Sequence, residues 1–326
     1  MLEIIIAVEV LGLLLSESWR ASTFAWVLLG ISVPIVVWLL FRRIVVRILM
    51  RTPEPWDGSL KDPRWSPFRF AGWGRDTLTA HLLTAEDPSK DLVLYLHGYG
   101  SSLGKAENRC LHLNALGMNV VGLNLRGHGG CPHRDDWTLL KVMADIEALL
   151  EAIPKQMDVL PERVWLYGHS VGGFLSIRLG AMPSGWGSKC LAGIVLESPA
   201  TSYPMVIERA IHPNLRFSMP WVRWILRREH ERIHPDLSVR YATAQVPYFG
   251  LPKVPILVLQ AAIDKTLGLR HHALLVEQLE AYSIPFESHV IEGHPHTTSK
   301  DSDARRQLLE KWLSPQINGE SRGVLV

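Results

Sequence analysis

From Leu92 onward, short apolar runs alternate with stretches of helical periodicity. LVLYLH, NVVGLNL, RVWLYG, LAGIVLES, PILVLQ and FESHVIE are the candidate strands, and residues 104–117, 136–152, 171–182, 269–282 and 301–313 repeat apolar positions at helical spacing. Strands that alternate with helices are joined by right-handed crossovers, which predicts an α/β fold with a mostly parallel central sheet and helices on both faces. Ahead of them, FRFAGWGRDTLTAHLLTA reads as two strands around a glycine-rich turn. Residues 199–250 break the rhythm and are expected to form a partly helical insertion.

The N-terminus follows another pattern. Residues 24–41, FAWVLLGISVPIVVWLLF, carry no charge and are close to the length of a membrane-spanning helix. Pro34 is tolerable in such a helix, and Trp26 and Trp38 lie toward its ends, where indoles favour the headgroup level. A weaker apolar run, Leu2 to Leu15, contains Glu3 and Glu9 and makes a hairpin if it also crosses. A cleaved signal peptide fits poorly, because the basic residues follow the apolar run. The competing reading is a buried core helix. Arg42, Arg43, Arg47 and Arg51 follow the span and only Arg20 precedes it nearby, which places the C-terminal side in the cytoplasm. If the helix continues, Arg43, Arg47 and Arg51 share one face that meets anionic headgroups.

These patterns divide the 326 residues into an anchor at 1–51, a Pro- and Trp-rich linker at 52–67, an α/β domain at 68–316 with its insertion at about 199–250, and a flexible tail at 317–326. Net charge is +2, so no bulk basic excess points to nucleic acid. The three cysteines, Cys110, Cys131 and Cys190, are far apart with no C-x-x-C, which argues against a disulfide framework or zinc site and for small buried hydrophobes.

Residues 163–173 read RVWLYGHSVGG: an apolar strand, then Gly168-His169-Ser170-Val171-Gly172, then a helical stretch. This is a G-x-S-x-G nucleophile elbow in its strand–turn–helix setting. The turn strains the serine backbone, and glycine is needed where flanking side chains would clash. The hydroxyl then stands at a helix N-terminus, which favours developing negative charge. Earlier, LVLYLHGYGSS places His97-Gly98-Tyr99-Gly100 after the first parallel strand. A backbone N–H from that loop, paired with that of Val171, suits an oxyanion.

Together, HGYG, NLRGHG, GHSVGG, PILVLQAAID and IEGHPH make the chain resemble the α/β-hydrolase family from about residue 68 to the C-terminal helix. It is especially similar to membrane-linked hydrolases related to serine aminopeptidases and monoacylglycerol lipases. Asn124 departs from the Asp usual before Arg-Gly-His-Gly, at a position that is generally structural. The family order Ser, acid, His implies Asp264 as the acid, with Glu197 a weaker alternative. It implies a base in IEGHPHTT, where His296 is preferred over His294 by its spacing from Gly293; His294 is then a neighbour near the mouth. Lys265-Thr266-Leu267-Gly268 departs from the usual sequence after the acid, so that loop is expected to differ in shape. The remaining histidines, including His271 and His272, read as surface or cap residues.

The resemblance implies that residues 199–250 fold over the site as a small cap. SMPWVRWILRREHERI, within it, reads as a cap helix packed on the core in preference to a direct lipid contact. The leading expectation is hydrolysis of a carboxylic ester, lipid-like or an acyl ester or thioester, through an acyl-serine intermediate. No metal or organic cofactor is called for. A serine peptidase or amidase uses the same triad, and a non-catalytic membrane scaffold on this fold is the reading from another class.

Overall fold

In the computed structural model, every residue of β3 (Asp91–Leu96) and β4 (Asn119–Leu123) is buried. Both faces of the sheet are therefore covered there, as an unbroken apolar strand requires. The structure describes residues 12, 23–49, 59–85, 91–131, 137–181, 189–233, 244–296 and 302–317. The run from Leu2 to Leu15 apart from Gly12, together with Arg20, Arg51 and the tail beyond Ile317, lies outside the described residues.

The chain forms two compact units. One combines Met1–Arg51 with Ile211–Tyr241, and the other combines Thr52–Ala210 with Ala242–Val326. The larger unit holds an eight-stranded sheet in the order β1-β2-β4-β3-β5-β6-β7-β8. β1 (Ser66–Ala71) and β2 (Thr77–Leu83) form the antiparallel edge, and β2 also meets β4 antiparallel. All further pairings are parallel, through β5 (Arg163–His169), β6 (Leu191–Glu197), β7 (Ile256–Ile263) and β8 (Phe286–Pro295).

Helices alternate with these strands: α2 (Leu103–Ala115), α3 (Leu139–Ala152), α4 (Val171–Ala181), α5 (Tyr203–Ala210), α7 (Leu269–Ala281) and α8 (Asp303–Ile317). Ser102 and Thr138 cap α2 and α3, each side chain accepting a backbone N–H from the first turn. The core on one side gathers Leu103, Cys110 and Leu113 of α2 with Trp312 of α8, over Tyr95, Trp165 and Tyr167. Residues 59–65 also join this unit: Trp65 is buried and Glu107 accepts the N–H groups of Lys61 and Asp62. Cys110 and Cys131 are buried, Cys190 is half-buried, and no disulfide joins the three.

The smaller unit pairs α1 (Thr23–Leu49) with α6 (Met219–Ile233), which a 3-10 turn (Pro213–Ser218) precedes. α1 continues through Arg42, Arg43 and Arg47, and its stretch Trp26–Leu49 is long and apolar enough to cross a membrane. Trp38 packs against Trp224 with ring centroids 5.7 Å apart, and Arg42 ion-pairs with Glu229. The insertion is thus divided between the two units, with α5 in the larger and α6 in the smaller.

Candidate active site

Ser170 is the single residue between β5 and α4, and its φ is 54°. That conformation is unfavourable for a residue with a side chain and persists only where surrounding bonds hold it. They do so here: the Ser170 N–H donates to the Glu197 carbonyl at 2.9 Å, and the Ser170 carbonyl accepts from Gly173 at 3.0 Å and Ala200 at 2.9 Å. The glycines make room. A Cβ on Gly172 would stand 1.9 Å from the Leu96 carbonyl oxygen, and one on Gly168 2.3 Å from that of Gly172.

His296, at the end of β8, reaches this serine. Its Nε2 lies 3.0 Å from Ser170 Oγ, and its Nδ1 lies 2.8 Å from Asp264 Oδ2. Asp264 follows β7, and its other oxygen accepts the N–H groups of Thr266 (3.0 Å) and Leu267 (2.7 Å). These bonds shape the Lys265–Gly268 loop. Burial alone would raise the Asp264 pKa; the His296 hydrogen bond and the backbone donors outweigh it and hold the carboxyl well below the usual range. An ionised Asp264 keeps the proton of His296 on Nδ1 and leaves Nε2 free to accept from the serine.

The sheet order explains where this serine meets the His97–Tyr99 loop. β3 and β5 are neighbours, but the chain leaves β3 toward β4 on one side and leaves β5 toward β6 on the other. Their carboxyl ends therefore open a crevice at the switch point. Gly98 approaches so closely that a Cβ there would lie 3.0 Å from Ser170 Cβ. His97 braces the loop: Nδ1–H donates to the Gly98 carbonyl at 2.8 Å, and Nε2 accepts the Leu125 N–H at 3.0 Å. Burial lowers its pKa to about 3, so the neutral ring keeps this donor–acceptor arrangement. Val171 opens α4, so its N–H lacks an intrahelical partner. Tyr99 is partly exposed and packs edge-on against His128 and Trp137, an aromatic wall beside the loop.

Several neighbours escaped the sequence reading or were misplaced by it. His169, an unspecified position in the elbow motif, is buried and donates Nε2–H to the His296 carbonyl at 2.8 Å, tying the Ser170 and His296 loops together. His271 was expected at the surface or in the cap. It is buried instead, and its Nδ1 accepts the Thr201 N–H at 3.0 Å; the apolar spacing of α7 was the available signal. His272 is half-buried against Ser288. His294 does not sit at a mouth: it is buried, with Nε2 3.9 Å from Glu197. Glu197 itself is held by Arg109 through bonds of 2.8 and 2.6 Å and by the Tyr167 hydroxyl at 2.7 Å. Its carboxylate is therefore committed to a buried network, and Asp264 is the carboxylate bonded to His296. Asn124 accepts the Leu103 N–H at 2.8 Å, the acceptor role an Asp would also fill. Among the described residues, no group of three or more His, Cys, Asp or Glu side chains is placed to hold a metal ion.

The sequence profile of the family described as serine aminopeptidase, S33 matches residues 87–248, which span β3, the elbow and most of the insertion. The human alpha/beta hydrolase domain-containing protein 17B is 24% identical over 233 residues, covering 70% of this chain and 68% of that protein. A monoacylglycerol lipase of Mycolicibacterium smegmatis is 28% identical over 141 residues, covering 42% of this chain and 48% of the lipase. Among solved structures, the Pyrococcus furiosus esterase Pf2001 superposes with a TM-score of 0.60 at 16% identity, covering 81% of this chain and 96% of the esterase. The chain belongs to the α/β-hydrolase family. It is a hydrolase of the serine-hydrolase type, and this α/β-hydrolase carries an N-terminal helix with the length and composition of a membrane anchor.

Proposed function

We propose that this α/β-hydrolase is a membrane-anchored esterase that cleaves a lipid-like ester, or an acyl ester or thioester, through an acyl-Ser170 intermediate. The observation that carries the reading is the 3.0 Å contact from His296 Nε2 to Ser170 Oγ, backed by the 2.8 Å contact to Asp264. Ser170 Oγ attacks the acyl carbonyl while His296 takes its proton. The N–H groups of Tyr99 and Val171 stabilise the oxyanion. His296 then protonates the leaving alcohol or thiol, and a water activated by the same histidine releases the acid. Asp264 orients His296 and stabilises its imidazolium.

An aminopeptidase reading of the same triad is favoured by the description of the matching family. Recognition of a free amine needs an available carboxylate. Asp264 and Glu197, the acids built into this site, are engaged with His296 and Arg109, which supports the ester reading. The apolar anchor adds to it, because it holds the enzyme where acylated substrates are concentrated.

A fluorophosphonate probe tests the proposal. Wild type is expected to label and Ser170→Ala to lose both labelling and ester hydrolysis while remaining folded. A matched series of esters and aminoacyl amides, with the acyl chain lengthened stepwise, then separates esterase from peptidase. Faster turnover of the amides would overturn the ester reading.

A further inference from the structure

α6 and the 3-10 turn before it carry large apolar side chains that the protein leaves uncovered. Leu215 is 53% exposed, Phe217 71%, Trp221 51% and Trp224 50%. Residues 216–233 also hold five arginines against two glutamates. The α1 contacts fix where this surface lies along the anchor. Trp38 meets Trp224, and four residues further along α1, Arg42 meets Glu229, with Nε 2.8 Å from the carboxylate. The contacts advance together, so α6 runs in the same sense as α1 over this stretch. Trp221 precedes Trp224 by one helical turn and is therefore level with the apolar part of α1 before Trp38, with Phe217 beyond it. Arg227, Arg228 and Arg232 lie on the other side, level with the basic end of α1.

Arg216 and Arg223 are interleaved with these aromatics, and aromatic side chains alternating with arginines suit the headgroup layer of a bilayer, where indole rings and guanidinium groups both find partners. We infer that the 3-10 turn and the first half of α6 are a second membrane-docking element, seated in the headgroup layer of an anionic bilayer beside the anchor. The inference rests on the reading of α1 as a membrane anchor. Its occupant is set by continuity with α1 and by the arginine excess, which complements anionic lipid. The Arg42–Glu229 pair and the Trp38–Trp224 contact hold the element at a fixed depth, where an isolated amphipathic helix would partition reversibly.

The test uses the full chain in vesicles of phosphatidylcholine and phosphatidylglycerol. An environment-sensitive fluorophore is placed on single cysteines at Phe217→Cys, Trp221→Cys, Ile31→Cys and Tyr282→Cys, and doxyl-labelled lipid is the quencher. Labels at 31, 217 and 221 are expected to shift to the blue and be quenched, while the exposed position 282 in the larger unit stays water-like. Quenching at 31 without quenching at 217 and 221 overturns the inference and leaves the anchor reading standing. No quenching at 31 overturns both. A blue shift at 217 and 221 that lipid does not quench means that protein covers this surface, and it also overturns the inference.

Discussion

His296 Nε2 lies 3.0 Å from Ser170 Oγ, although 126 residues separate the two. Nothing local makes that contact. It arises because β5 and β8 point their carboxyl ends the same way, with β6 and β7 between them. Both loops are then held by His169, whose ring donates to the His296 carbonyl.

The two histidines of IEGHPH are expected to differ sharply on substitution. His296→Ala should lower kcat by ~10⁴-fold or more, because triad members act as a unit. His294→Ala should leave kcat within about tenfold and act mainly on stability, since His294 contacts Glu197. Steady-state kinetics on a soluble ester, beside urea melts of both variants, separates the two effects. A reversed order would move the base to His294.

Arg109 and Glu197 are both almost fully buried and bonded through two contacts. Removing Arg109 takes away both close charge-assisted bonds of Glu197 and leaves it the Tyr167 hydroxyl and Arg305, 3.6 Å away. Arg109→Ala should destabilise the fold by about 2–4 kcal/mol, below the full cost of an uncompensated buried charge because Arg305 stays nearby. Denaturant unfolding measures this directly, and a loss under about 1 kcal/mol would show that Arg305 alone compensates Glu197.

Stability should fall between neutral pH and about pH 4. Burial lowers the pKa of His128, His169 and His271 from 6.5 to about 4, and that of His97 to about 3. Below pH 6.5 the unfolded chain binds protons that the folded chain refuses, so unfolding is favoured as pH drops. Stability is thus full above about pH 6.5 and is lost with a slope of about 1.4 kcal/mol per pH unit for each such histidine. The depressed carboxyl of Asp264 acts lower still: its contribution is present above about pH 4 and lost as pH falls further. Urea melts from pH 7 to pH 4.5 test the histidine window, and a flat profile would mean that these rings are protonated in the folded state.

Protease added to sealed cells is expected to leave the catalytic domain intact, because the basic residues of α1 follow its apolar stretch. Permeabilised cells should lose it. Digestion in sealed cells would place the domain on the opposite side of the membrane.

Some of this was legible along the chain because the causes are local. The strand and helix runs show in their periodicity, and the elbow shows because a strained serine between two segments demands glycine at 168 and 172. The helix beginning near residue 24 is visible from eighteen consecutive uncharged positions. Other features depend on distant partners. The family order limited the base to His294 or His296 and the spacing from Gly293 favoured His296; the register of β8 beside β7 brings His296 to Ser170 and His294 near Glu197. His271 shares the i, i+4, i+8 face of Leu275 and Leu279, which the helix periodicity shows, but its partner Thr201 is seventy residues away and only the fold supplies it. SMPWVRWILRREHERI resembles an ordinary cap helix until Arg42 and Trp38, nearly two hundred residues earlier, are brought against Glu229 and Trp224. The sequence by itself determined the elements, the strained elbow that carries Ser170 and the apolar helix, because backbone strain, side-chain periodicity and transfer of apolar groups from water act on neighbouring residues. The tertiary structure decided which histidine and which carboxylate stand beside Ser170 and which side chains of α6 meet α1, because hydrogen bonds and ion pairs depend on distances that only the folded chain defines.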